Sequence, residues 1–137
     1  MAHWLMKSEP AAYSWQQLVA DERTHWNGVR NAQAANNLKQ MAEGDLSFFY
    51  HSNEGLAVVG IMRIVRPYYP DPGDASGRYG MVDVVPVKPL ATPVTLAAIK
   101  AEPKLAELGL VRQSRLSVMP VTPAAWKLIC RMGGVAP

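Results

Sequence analysis

Apolar residues gather in several short runs with little polar alternation, separated by segments in which they recur at helical spacing. Leu46 to His51 is aromatic-rich, and Ala57 to Val65 is nearly continuous and β-branched. Tyr79 to Val87 follows a Pro/Gly/Asp-rich loop that spans Pro67 to Gly77. Runs of this kind bounded by turn residues predict strands, and Trp4 to Lys7 and Leu116 to Met119 are shorter candidates. Strands without polar alternation are covered on both faces, which predicts a closed or half-closed barrel with flanking helices. Strands and helices do not alternate as βαβ units, so a doubly wound sheet is disfavoured.

Helix starts are legible from capping chemistry. Ser14-Trp15-Gln16-Gln17 has the form of a capping box, with Tyr13 and Leu18 as a hydrophobic staple, and predicts a helix to about Asp21. Thr95 repeats the scheme with Val94 and Ile99, and Thr122-Pro123 sets a capping hydroxyl before a proline at the first helical position. A further helix is expected from Ala32 to Met41, capped by Asn31, with Ala34, Leu38 and Met41 on one face and Gly44-Asp45 beyond its end.

Composition narrows the class. At 137 residues, 49% hydrophobic and 18% charged, the chain reads as one globular domain over residues 1–132 with a loose tail over 133–137. No apolar run approaches the roughly 18 residues of a membrane span, and Met1 to Pro10 lacks the plan of a signal peptide. The lone Cys130 excludes an internal disulfide and a thiolate metal cluster, and suits a reducing compartment, so a cytoplasmic location is expected. A net charge of +3 tolerates a polyanionic partner without requiring one.

Motifs for catalysis are missing. His3, His25 and His51 have no ligand spacing, and neither HExxH, CxxC, GxSxG nor a phosphate-binding glycine loop occurs. No metal, cofactor or catalytic residue is expected. Cys130, among Leu128 and Ile129, reads as a small core residue.

Three polar clusters remain. In the first, the strand at Trp4 ends in Lys7-Ser8-Glu9 before Pro10. The second, Trp26-Asn27-Gly28-Val29-Arg30-Asn31, leads into the Ala32 helix. Trp26 in such a loop is either a core plug or a stacking surface, Gly28 permits an unusual backbone, and Arg30 is unfavourable to the helix dipole. The third is Phe48 to Asn53, where Tyr50, His51 and Ser52 can all hydrogen-bond at the end of a strand. Each has a bland reading as a strand end or cap. Together, planar aromatics, amides and hydroxyls around one cleft suit a flat heterocycle read along its edge.

These clusters resemble the EVE domain family, within the PUA-like superfamily that includes YTH and ASCH domains. The resemblance rests on Trp4 to Pro10, on Trp26 to Asn31 with Gln33-Ala34, and on Gly44-Asp45-Leu46 with Phe48 to Ser52. It continues through Val58-Val59-Gly60-Ile61, Tyr68 to Pro72, Met81 to Val84, Leu110-Val111-Arg112, Arg115 to Val118 and Pro120-Val121. The loop from Pro67 to Gly80 is short beside many relatives, and Met119 stands where glutamine is common.

The resemblance implies an α+β fold with a PUA-like β-barrel core of about five to six strands and flanking helices. It also implies a monomeric, non-catalytic reader of a modified base in DNA or RNA, with cytosine altered at carbon five foremost. In that reading Trp26 stacks on the base, while Lys7, Ser8, Asn31, Tyr50, His51 and Ser52 contact its edge. Arg30, Arg112 and Arg115 meet phosphates or shape the wall. Two alternatives stay open: a nucleotide- or RNA-directed enzyme with Lys7 and Tyr50 as acid–base groups, as in ASCH relatives, and a protein-interaction adaptor.

Overall fold

The computed structural model describes residues 1–137. In chain order the first elements are β1 (His3–Ser8), α1 (Trp15–Asp21), β2 (Thr24–Trp26), α2 (Ala32–Lys39) and β3 (Leu46–His51). They are followed by β4 (Ala57–Pro70), β5 (Gly80–Thr95), α3 (Leu96–Ala101) and a 3-10 turn at Pro103–Leu105. The last are α4 (Gly109–Arg112), β6 (Val118–Val121) and α5 (Pro123–Met132).

The capping oxygens named from the sequence do close their helices. Ser14 Oγ accepts from the Gln17 amide at 3.1 Å, Asn31 Oδ1 from Ala34 at 2.9 Å, Thr95 Oγ1 from Ala98 at 3.1 Å and Thr122 Oγ1 from Ala125 at 3.2 Å. Helix α2 stops at Lys39, two residues before the expected end, although Met41 is still buried. Strands β4 and β5 run well past their expected ends at Val65 and Val87. Register shifts explain the extension. In β5, Pro86 and Pro89 have no N–H to give the ladder, and the pairing slips beside each of them. In β4, slips between Ile64 and Arg66 and between Arg66 and Tyr69 carry the pairing past Pro67. Strand β2 was unforeseen because three residues are too short to show a period. The helix α4 and the 3-10 turn were likewise not foreseen, and β6 begins two residues later than expected.

The strands form one mixed sheet in the order β2-β5-β4-β3-β1-β6. Only β1 and β3 pair in parallel. Its edge strands β2 and β6 do not pair with each other, so of the two expected forms the sheet takes the half-closed one. The sheet is nonetheless strongly curled. Three strand spacings of about 4.8 Å separate β2 from β3 along the order, yet the rings of Trp26 and Phe49 lie edge to face with centroids 5.4 Å apart. Curling gives the sheet two apolar faces. Phe48 stacks on Trp126 of α5 at 3.9 Å, and Phe49 meets Trp15 of α1 and Trp26 of β2 on the other side.

Gly60 is what lets α1 close onto β4. A Cβ there would lie 2.6 Å from the Trp15 ring, which is itself nearly buried. Gly60→Ala should therefore cost about 1–3 kcal/mol by overpacking, read as a lower unfolding midpoint. An unchanged midpoint would show that Trp15 shifts freely.

Within residues 133–137, expected as a loose tail, two carbonyls are tied to β5. The Gly133 carbonyl accepts from Thr92 and the Ala136 carbonyl from Lys88 Nζ, while Val135 packs against the core.

Candidate nucleic-acid interface

Parallel pairing of β1 with β3 sets Lys7 beside Tyr50 and Ser8 beside His51, and the Ser52 amide donates to the Ser8 carbonyl at 2.9 Å. The first and third polar clusters thus lie side by side at the C-terminal ends of two parallel strands. The curl brings β2 round to them. Between β1, the turn after it and β2 lies a cavity of about 500 Å³ lined by Lys7, Ser8, Tyr13, His25, Trp26 and Asn27, with Glu9, Ala12 and Thr24 completing its walls. Its shape is held from outside: Ser8 Oγ donates to the Tyr13 carbonyl at 2.6 Å, and the Tyr13 hydroxyl donates to Asp21 at 2.8 Å.

The expected site residues divide among three adjoining hollows. Lys7, Ser8 and Trp26 belong to the cavity above. Lys7 also borders a hollow of about 390 Å³ with Tyr50 and Ser52. Asn31, Arg112 and Arg115 line a third, of about 320 Å³, that shares Ser114 with the second. Arg30 and His51 line none of these three. The His51 side chain works behind the cavity. Its Nε2 accepts from the Trp15 amide at 3.1 Å, so it caps the start of α1 as a neutral ring, and burial lowers its pKa accordingly.

Several expectations need correcting. Trp26 is not in a polar loop with few apolar neighbours. It is in β2, 7% exposed, and part of the main core, because the curled sheet delivers Phe49 to it. It is core plug and cavity wall at once. Asn31 caps α2 as expected, which commits its Oδ1 to the Ala34 amide. Arg30 is not free at a helix terminus either. Its Nη1 donates to Asp71 at 3.0 Å and to the Val29 carbonyl at 3.0 Å. Arg112 Nη1 alone donates to both carboxylate oxygens of exposed Glu107, at 2.9 and 3.0 Å.

Burial acts on the groups between the first two hollows. It lowers the Lys7 ammonium pKa and raises the Tyr50 phenol. Lys7 Nζ lies 5.9 Å from the centre of the Tyr50 ring and donates to the Ser114 carbonyl at 2.8 Å. A partly buried, orientable donor next to a cavity suits a hydrogen-bond acceptor on a ligand.

Two buried carboxylates, neither of which the sequence marked as part of the site, hold the wall. Asp71 accepts from the Gly28 amide at 3.1 Å, the Gly73 amide at 2.8 Å and Arg30. Those bonds, the Gly28 amide first, keep its pKa below the ordinary carboxylate value. Gly28 has a φ of 78°, a left-handed conformation that suits glycine and turns its N–H toward Asp71. Asp83 sits opposite His25 in the ladder and accepts from Arg23, His25 and the Tyr69 hydroxyl. Burial alone would raise its pKa, but the bonds from Tyr69, His25 and Arg23 outweigh it and hold it at about 2. The signal that could have found this wall was the acidic residues within otherwise apolar or turn segments, Asp83 in Met81 to Val85 and Asp71 between prolines.

An open, curled mixed sheet with helices on both faces and a polar–aromatic cavity between β1 and β2 is an α+β domain of the PUA-like kind. An ASCH protein of Zymomonas mobilis shares this fold at 10% identity, with a TM-score of 0.61 over 96% of this chain and 99% of its own. Residues 2–132 match the EVE domain, and the chain belongs to that family. It is similar to protein Rpa0253 of Rhodopseudomonas palustris, with 55% identity and a TM-score of 0.93 over 98% of this chain and 94% of the other. Human thymocyte nuclear protein 1 is 33% identical over 88% of this chain and 69% of its own length. A crystal structure of human THYN1 protein in complex with 5-methylcytosine-containing DNA superposes with a TM-score of 0.91 at 31% identity, covering all of both chains.

Proposed function

We propose that this chain is a non-catalytic module that holds a modified DNA base, cytosine altered at carbon five, in the cavity between β1 and β2. The observation that carries the reading is the cavity itself, walled by Lys7, Ser8, Tyr13, His25, Trp26 and Asn27, in a fold shared with a human relative crystallised on 5-methylcytosine DNA. Extracting a base from a duplex costs a few kcal/mol, which aromatic contact and edge hydrogen bonds must recover. Trp26 and Tyr13 supply aromatic surface, and Lys7, Ser8 and Asn27 supply polar groups. Tyr50, Ser52 and Asn31 border the adjoining hollows, where the nucleotides flanking the base would run, with Arg112 and Arg115 beside them. His51 and Arg30 serve from behind, by fixing α1 and the Gly28 turn.

The enzymatic alternative draws less from the geometry. Burial raises the Tyr50 phenol pKa, and the side-chain hydrogen bond that Lys7 makes goes to the Ser114 carbonyl, so neither group is paired with a carboxylate or histidine that could relay a proton. Sustained turnover of nucleotide or nucleic acid that follows the purified protein and is lost in Lys7→Ala would overturn the non-catalytic reading.

The binding test uses Ala12, an exposed residue on the cavity wall. The native protein should bind an oligonucleotide containing 5-methylcytosine more tightly than its unmodified twin. Ala12→Trp, which introduces a large ring from an exposed position on the cavity wall, should abolish the preference at an unchanged unfolding midpoint. A folded Ala12→Trp variant that still discriminates would place the base elsewhere.

A further inference from the structure

Arg23 and Arg66 play no part in the base-holding reading, yet both are held by one rigid pair of side chains at the rim of the cavity. Asp83 is sealed in the sheet with its side chain 3% exposed, and it accepts from Arg23 Nη2 at 2.8 Å and Nε at 3.3 Å. The Tyr69 hydroxyl donates to the same carboxylate, and its ring carries the Arg66 guanidinium with the central carbon 3.5 Å from the ring centre. Between Tyr69 and the cavity stands His25. Its Nδ1 is 2.9 Å from both Asp83 and the Tyr69 hydroxyl, and its side chain is 62% exposed on the cavity wall.

Surface arginines ordinarily lose side-chain entropy when they bind, and a guanidinium that is already fixed gives up less per hydrogen bond formed. Here a buried carboxylate and an aromatic face fix two of them. Arg23 commits Nε and Nη2 to Asp83 and keeps its remaining N–H groups free, with its side chain 54% exposed. Arg66 makes no side-chain hydrogen bond within the protein, so its whole fork is available. Asp83 offsets only one of the two positive charges. By contrast, Arg30 and Arg112 are each matched by a carboxylate of their own.

We infer that Arg23 and Arg66, joined through Tyr69 and Asp83 and separated from the cavity by His25, form a ledge that binds the phosphodiester of the strand whose base occupies the cavity. Planar forks that present several N–H groups match phosphate oxygens in a way a lysine point charge does not. The inference rests on the base-holding reading above for which strand is bound, while the ledge itself is tested separately.

The experiment compares native protein with Arg66→Gln on three probes: a 5-methylcytosine oligonucleotide, its unmodified twin and free 5-methylcytidine. Arg66 is exposed, so the variant should melt with the native protein. Arg66→Gln should weaken both oligonucleotides by the same factor, about threefold or more at low salt, and reduce the salt slope by about one. Binding of the nucleoside, which has no phosphate, should be unaffected. If the native protein discriminates methylated from plain oligonucleotide and Arg66→Gln changes neither affinity nor slope, the ledge is wrong and the base reading stands. If the native protein ignores the methyl group and Arg66→Gln still flattens the slope, the ledge stands and the base reading fails.

Discussion

Trp26→Ala should lower the unfolding midpoint steeply and weaken binding of the modified oligonucleotide in the same protein. Truncating a buried tryptophan costs about 3–5 kcal/mol, which for a domain of this size is a fall of roughly 10–20 °C. Trp26 is 7% exposed and meets Phe49 edge to face, so most of its indole works for the fold. The remaining strip faces the cavity, where an aromatic contact with a base is worth about 1–3 kcal/mol, or roughly a five- to 150-fold loss of affinity on truncation. Both readouts are needed. An unchanged midpoint would contradict its place in the core, and an unchanged affinity in the folded variant would remove Trp26 from the ligand contact. Trp26→Phe keeps an aromatic ring against Phe49 and should recover part of the midpoint.

Asp83→Asn is the second variant with a large expected effect. The asparagine keeps the shape but loses the charge that Arg23, His25 and Tyr69 are arranged around. Losing charge-assisted bonds to a buried carboxylate should cost about 2–4 kcal/mol, moderated because Arg23 and His25 can return to water. The native protein should show the matching pH dependence. The folded pKa of about 2 lies below the ordinary carboxylate value. The stabilisation from Asp83 is therefore fully present above about pH 4 and is lost as pH falls toward 2, amounting to about 2 kcal/mol. Asp71, also lowered, adds to the same acid limb. Chemical denaturation between pH 5 and 2 should give a shallower acid limb in Asp83→Asn than in the native protein. Parallel limbs would mean that Asp83 titrates alike in the folded and unfolded chains.

How far the site could be read in advance differs from residue to residue. Lys7, Ser8, Tyr50 and Ser52 stand out in the sequence because polar side chains end otherwise apolar strands, and the register across β1 and β3 sets those strand ends side by side. Trp26 was recognisable as important but was misplaced, since its partner Phe49 lies far away in the chain and reaches it only through the curl of the sheet. Arg30 was recognisable as odd at a helix start. Its partner, Asp71, sits in the loop between β4 and β5, brought near only because β4 continues past Pro67 to pair with the start of β5.

The caps show what the chain decides locally. Ser14, Asn31, Thr95 and Thr122 each satisfy an amide three residues on, so the starts of α1, α2, α3 and α5 follow from neighbours in sequence. The core of β3 is local in the same sense, because alternation alone separates Phe48 from Phe49. Only the tertiary structure could decide that the sheet stays open, that β2 exists, and that Asp83 gathers Arg23, His25 and Tyr69 beside a cavity. Each of these depends on ladder pairing between distant strands and on the twist that accumulates across them. Neither leaves a periodic mark within any one segment.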